Sequence, residues 1–177
     1  MFLEELRNDC AVKQKKGLHF ILASVVIWLL VLMIHSTSLP ILTKNLFTFC
    51  ATAPLMPLAF LISKLIKVDF QNKDNPLTNL GVLLSAGQIL YLLIAMWIYP
   101  TVPEKMLMVI AIIFGAHLLP FSWLYKSKSY MVFAILIPIL ALLLGIYFTP
   151  YLLAMVMVGV EILFSLCLAV ENKTLRI

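Results

Sequence analysis

The chain has 177 residues, of which 63% are hydrophobic and 12% charged, and its mean hydropathy is +1.07. A soluble domain carries about 25% charged residues, so the composition excludes a soluble globular domain and points to one integral membrane bundle. The formal net charge of +5 does not mark a nucleic-acid-binding face, because the lysines and arginines sit in short loops beside apolar runs rather than on one clustered surface.

Residues 1–16 read as a cytoplasmic or interfacial segment. Leu3, Leu6 and Cys10 fall at helical spacing among Glu4, Glu5, Arg7, Asp9 and Lys13, the pattern of a short amphipathic helix in the headgroup region. Lys13, Lys15 and Lys16 would hold it against anionic lipid; a frayed, solvated tail is the other reading. No small-residue cleavage site follows the first apolar run, so that run is read as a retained helix and not a signal peptide.

Six spans follow, at about residues 18–34, 46–65, 77–99, 106–125, 130–148 and 151–170. Pro40, Pro100 and Pro150 punctuate the turns after the odd-numbered spans. The longest connection, from Lys64 to Pro76, is polar. Pro54 and Pro57 in span two, Pro120 in span four and Pro138 in span five are expected to kink their helices, because a proline removes one backbone hydrogen bond. Six spans put both termini on one side, and that side then holds eleven of the 13 basic residues. Only Lys44 and Lys105 fall opposite. By the positive-inside rule both termini are cytoplasmic. The expected architecture is all-α: a cytoplasmic-membrane, multi-pass bundle over 17–170, with 171–177 as a cytoplasmic tail.

The polar residues inside the spans share a depth. Pro54 precedes Lys64 by ten residues, His117 precedes Lys126 by nine, and Glu161 precedes Glu171 by ten. At about 1.5 Å per residue all three lie roughly 15 Å from the inner boundary, near the bilayer centre. Gln88 and Pro138 fall at a similar level. The even-numbered spans also resemble one another: Gly115-Ala116-His117-Leu118-Leu119 follows the pattern of Gly159-Val160-Glu161-Ile162-Leu163. Three tandem two-helix hairpins are one reading of this, with a site at the repeat interface; chance similarity of apolar segments is the other. Gly81 with Ser85, Ala111 with Gly115, and Ala141 with Gly145 have the spacing that lets helices approach closely.

Glu161 is the strongest candidate for chemistry. An acid at mid-membrane costs about 2.5 kcal/mol or more on insertion scales, so it faces a bundle interior or a water cavity. It reads as a group that loads and releases a proton, with His117 as its expected ion-pair partner. The competing reading is a structural glutamate tying helices together. Gln88 donates and accepts at once, which suits a bound polar group, and Tyr91, one turn on, would share its face. The three histidines lie at different depths, and Cys10, Cys50 and Cys167 form no C-x-x-C pair, so neither a metal site nor a cofactor is indicated. The metalloprotease H-E-x-x-H, the G-x-S-x-G elbow and a glycine-rich phosphate loop are absent.

Ala53-Pro54-Leu55-Met56-Pro57-Leu58 and Phe114-Gly115-Ala116-His117-Leu118-Leu119-Pro120, with Val68-Asp69-Phe70-Gln71-Asn72, resemble an uncharacterised family of small six-span bacterial membrane proteins. The resemblance implies a bacterial cytoplasmic membrane and no activity. The leading expectation is a small-molecule transporter or binding protein with proton coupling through Glu161 and His117. A non-catalytic structural or regulatory subunit is the alternative, and an intramembrane lipid-modifying enzyme the third. The expected partners are membrane lipid, a small-molecule ligand and a second copy of the chain in a homodimer.

Overall fold

The computed structural model describes residues 2–174 and is helical throughout, with no strand among those residues. Helix α1 spans Leu3–Lys13, α2 Leu18–His35, α3 Ile41–Thr52, α4 Leu55–Leu65 and α5 Pro76–Thr101. Helix α6 spans Met106–His117, α7 Leu119–Leu124, α8 Lys128–Tyr147 and α9 Pro150–Thr174. Five stretches are long and apolar enough to cross a membrane: Lys15–His35, Pro76–Thr101, Pro103–Leu124, Lys128–Tyr147 and Pro150–Thr174. Helices α3 and α4 meet at a 44° bend and make a sixth if taken as one broken span. The molecule is a helical membrane bundle. Its outer surface carries Leu83, Ile89 and Leu90, each about two-thirds exposed, a surface that lipid covers without the cost that water would impose.

Helix α2 is the central post. It packs against α9, α4 and α3, while α6 packs against α8 and α5. Consecutive spans lie together as hairpins: α2 with α3 and α4, α5 with α6, α8 with α9. The tightest approach is between α6 and α8. A Cβ on Gly115 would sit 2.5 Å from Pro138 Cδ and 2.6 Å from Ile137 Cγ2, and one on Gly145 would collide with Met108. The small residues at 111, 115, 141 and 145 therefore let these two helices close on each other.

The prolines act unequally. Pro54 sits between α3 and α4 at the 44° bend. Pro57 lies in the first turn of α4 and Pro120 in the first turn of α7, where a missing N–H has no intrahelical partner to lose. The break in span four falls just before Pro120, between His117 and Leu119. Pro138 does not interrupt α8, which runs unbroken from Lys128 to Tyr147. The kink expected there is absent as a break because α6 packs flush against that turn.

One end of the bundle is closed by α1 and the loops. Cys10 and Ala11 are buried there. Asp9 accepts from Asn72 Nδ2 at 2.9 Å and Asn75 Nδ2 at 2.8 Å, and pairs with Lys13 at 2.8 Å. Arg7 donates to the Trp123 carbonyl and lies 4.4 Å over its ring. Gly17, at φ +69, starts α2; its left-handed conformation favours glycine, and a Cβ there would stand 2.8 Å from the Tyr130 hydroxyl and displace that ring. Helix α9 carries the expected tail onward to Thr174, and Glu171 accepts from Lys16, Ser127 and Ser129 at 2.7 Å each. Residues 175–177 of that tail lie outside the described residues.

Candidate functional site

A cavity of about 420 Å³ opens inside the bundle, walled by α2 through α7 and the start of α8. Its making follows from the two broken spans. Where α3 gives way to α4 at Pro54, and α6 to α7 at Leu118, the helices step aside and leave space beside α2. Gln88, His117, Ser24, Thr48, Thr52 and Ser85 supply its polar groups; the remainder of the wall is aliphatic and aromatic.

Gln88 and His117 thus face the same space, from α5 and α6. The His117 ring donates from Nδ1 to the Phe114 carbonyl at 2.5 Å, because a carbonyl can only accept. In the neutral ring Nε2 then keeps its lone pair. The ring lies 5.6 Å from Phe114 and 6.0 Å from Phe121, centroid to centroid. The amide of Gln88 makes no hydrogen bond among the described residues, so its donor and acceptor are both free for a guest.

Glu161 is fully buried, but it stands behind the cavity wall and not in it. Its Oε2 lies 2.5 Å from Ser24 Oγ, and Ser24 lines the cavity. No ion pair joins Glu161 to His117 among the described residues, so the expected imidazole–carboxylate contact is not made. The reason is the packing order: α9 lies against α2, which presents Ser24, whereas α6 gives most of its face to α8. Glu161 Oε1 is buried without a partner.

Ser24 Oγ is also 2.7 Å from the Ile21 carbonyl. A hydroxyl has one proton and the carbonyl can only accept. Both contacts are hydrogen bonds at once when Glu161 carries the proton and donates it to Ser24, which passes its own to Ile21. When Glu161 is ionised, Ser24 must turn its proton to the carboxylate and release the carbonyl. The hydroxyl of Ser24, which lines the cavity, therefore points differently in the two states of Glu161.

Tyr91 takes no part. It is 54% exposed and faces away from the cavity, because three residues of α5 turn its side chain past the Gln88 edge toward the bundle's outside. Pro54, Pro57, Pro120 and Pro138 shape the surrounding backbone and do not line the space. Sequence reasoning passed over Ser24; the available signal was that it is the only hydroxyl in span one. Nothing in the spacing of the polar residues marks Trp28, Phe114 and Tyr130 as site residues, yet their rings line the wall.

No cluster of three or more metal-ligating side chains occurs among the described residues. A family described as a family of unknown function (DUF7010) matches residues 3–171. No curated protein and no solved structure matches the chain.

Proposed function

The chain belongs to this family of unknown function, and from its cavity we propose that it binds a small molecule within the membrane and moves it with a linked change in the protonation of Glu161. The observation that carries the reading is one space at mid-bundle into which Gln88, His117 and Ser24 all face, with Ser24 in contact with Glu161. Pockets of about 300–1,000 Å³, mostly apolar with a few convergent polar groups, are the usual form of small-molecule sites. The reading includes a bacterial cytoplasmic membrane and both termini on its cytoplasmic face. Binding is favoured over catalysis because, among the described residues, no hydroxyl or thiol is hydrogen-bonded to the free Nε2 of His117, whose Nδ1 is taken by the Phe114 carbonyl.

A thermal-unfolding screen of the purified protein in detergent tests this. Neutral, cationic and anionic small molecules are compared on the wild type and on Ser85→Phe, which puts a ring into the cavity. Occupancy at a hundred times Kd stabilises by about 2.7 kcal/mol, so a binder raises Tm in the wild type and not in the filled variant. If no compound separates the two proteins, the reading fails. Proton linkage is read from the pH dependence of that shift. Glu161→Gln should flatten it, with His117→Gln as the comparison; a slope that survives in Glu161→Gln and vanishes in His117→Gln would move the coupling to the histidine.

A further inference from the structure

Resting on that reading, we propose that the cavity takes a neutral, ring-bearing lipophile that enters sideways from the bilayer between α4 and α5.

The ligand class follows from what lines the space. No aspartate, glutamate, lysine or arginine contributes to the wall. A charged guest would be buried without a counter-charge, which costs far more than a hydrogen bond returns. Seven aromatic residues do contribute, from Phe20 to Tyr130. Their rings stand at contact angles that suit another ring: Trp28 and Phe114 lie 6.2 Å apart edge to face, and Phe121 and Tyr125 6.0 Å apart in a stack. Gln88 and His117 then read one hydrogen-bonding group on an otherwise apolar body.

The route follows from which walls are thin. Both ends of the cavity are latched by side chains. At the α1 end, Gln14 accepts from the Tyr125 hydroxyl at 2.9 Å and donates to Thr78 at 3.2 Å. At the other end, His35 and Thr48 bond at 3.1 Å, and Asn45 donates to the Pro103 carbonyl at 2.8 Å. The side is different. The lining residues that are also exposed are Ala53, Met56, Val82, Ala86 and Ile89. All sit at the α3–α4 break or along the first half of α5, and α4 has little contact with α5. The cavity therefore reaches the surface at the depth of the lipid tails.

Two arms test the class and the route. In the first, protein in phosphatidylcholine nanodiscs is titrated with N-phenyl-naphthylamine, which is neutral, and with its sulfonated counterpart, anilinonaphthalene sulfonate. Energy transfer from Trp28 is read with Trp97→Phe and Trp123→Phe in place; if that protein folds poorly, the wild type is read against Trp28→Phe. The neutral probe should show saturable transfer, weakened at least tenfold by Ser85→Phe, and the sulfonate should show none. Equal or tighter binding of the sulfonate overturns the ligand class and leaves the small-molecule reading intact. Binding of neither probe, in a protein for which the thermal screen finds a binder, likewise overturns the class alone; an empty screen sinks the reading itself.

In the second arm, Met56→Cys and Ile89→Cys are joined by a bifunctional maleimide in a Cys50→Ser, Cys167→Ser background. Joining α4 to α5 should slow uptake of the neutral probe at least tenfold. An unchanged rate overturns sideways access. So does spontaneous disulfide formation between molecules carrying Ile89→Cys alone, since a second copy would then cover the gap.

Discussion

Ser24 is the residue through which Glu161 meets the cavity, and the two substitutions at that contact separate hydrogen bonding from charge. Ser24→Ala leaves Glu161 Oε2 without its partner in an apolar setting, in addition to the bare Oε1. The expected cost is about 1–3 kcal/mol, read as a lower denaturation midpoint in detergent. Glu161→Gln keeps a donor toward Ser24 Oγ and should cost less than Ser24→Ala. The reverse order would show that the acid matters for packing more than for this bond.

Asp9 is the comparable residue outside the candidate spans. Burial pushes its carboxyl up, but the hydrogen bonds from Lys13, Asn72 and Asn75 outweigh it and hold the group below the ordinary carboxylate range. A carboxyl depressed by folding adds stability that is complete above its unfolded pKa, about 3.9, and is lost as pH falls through the folded value. The hold of α1 on the bundle should therefore weaken on acidification below about pH 4. Hydrogen exchange of the α1 amides would report it, and Asp9→Asn should remove that acid dependence. Exchange in α1 that is equally fast at neutral pH in both proteins would show that Asp9 does not anchor the helix.

At the scale of elements, two helices end on lysine where glycine is the usual choice. Lys67 has φ +55 and Lys126 φ +51. Each follows a helix end closed by a bond two residues past the cap, Val68 N–H to the Ser63 carbonyl and Ser127 N–H to the Ser122 carbonyl, the Schellman arrangement. A left-handed non-glycine residue costs about 1 kcal/mol. Lys67→Gly should stabilise by roughly 0.5–1 kcal/mol, measured by thermal unfolding in detergent, and Lys126→Gly by less, because it also loses the ion pair to Glu4 and the bond to Asn8. The α6–α8 contact gives the opposite sign. Gly115→Ala brings a methyl against Pro138 and Ile137 with no flexible side chain to yield, and should destabilise by about 1–3 kcal/mol. A neutral result would mean that α6 and α8 slide apart freely.

Elements also mark where local reading stops. The run of about 20 apolar residues located the spans because lipid supplies no hydrogen-bond partners and so demands long helices. Proline told where a helix is under stress but not how it responds. Pro54 stands at a bend, Pro57 and Pro120 sit in first turns, and Pro138 lies inside a continuous helix. The outcome depended on neighbours: Ile137 and Pro138 are held against Gly115, and nothing equivalent holds the α3–α4 junction.

For the whole molecule, the charge distribution makes an orientation testable. Single cysteines placed in a Cys-free background at Lys73 and Lys126 should react with a membrane-impermeant maleimide from the same face as an N-terminal tag. Cysteines at Lys44 and Lys105 should react from the other. Labelling of Lys73→Cys and Lys126→Cys from the face opposite the tag, with Lys105→Cys reacting from the tag's face, would make the bent α3–α4 pair a re-entrant loop and not a span.

The sequence by itself determined the membrane bundle, the approximate limits of its helices and the small residues that let α6 and α8 close. These depend on composition and on neighbours a few residues apart, which hydropathy and helical spacing encode. Only the tertiary structure decided which polar groups meet. Gln88 and His117 came to one cavity, Tyr91 turned outward, and Glu161 met Ser24, 137 positions away. Residues at the same depth are equally able to meet in any packing order. Which of them do is set by which helix faces fit together, and α9 fits α2.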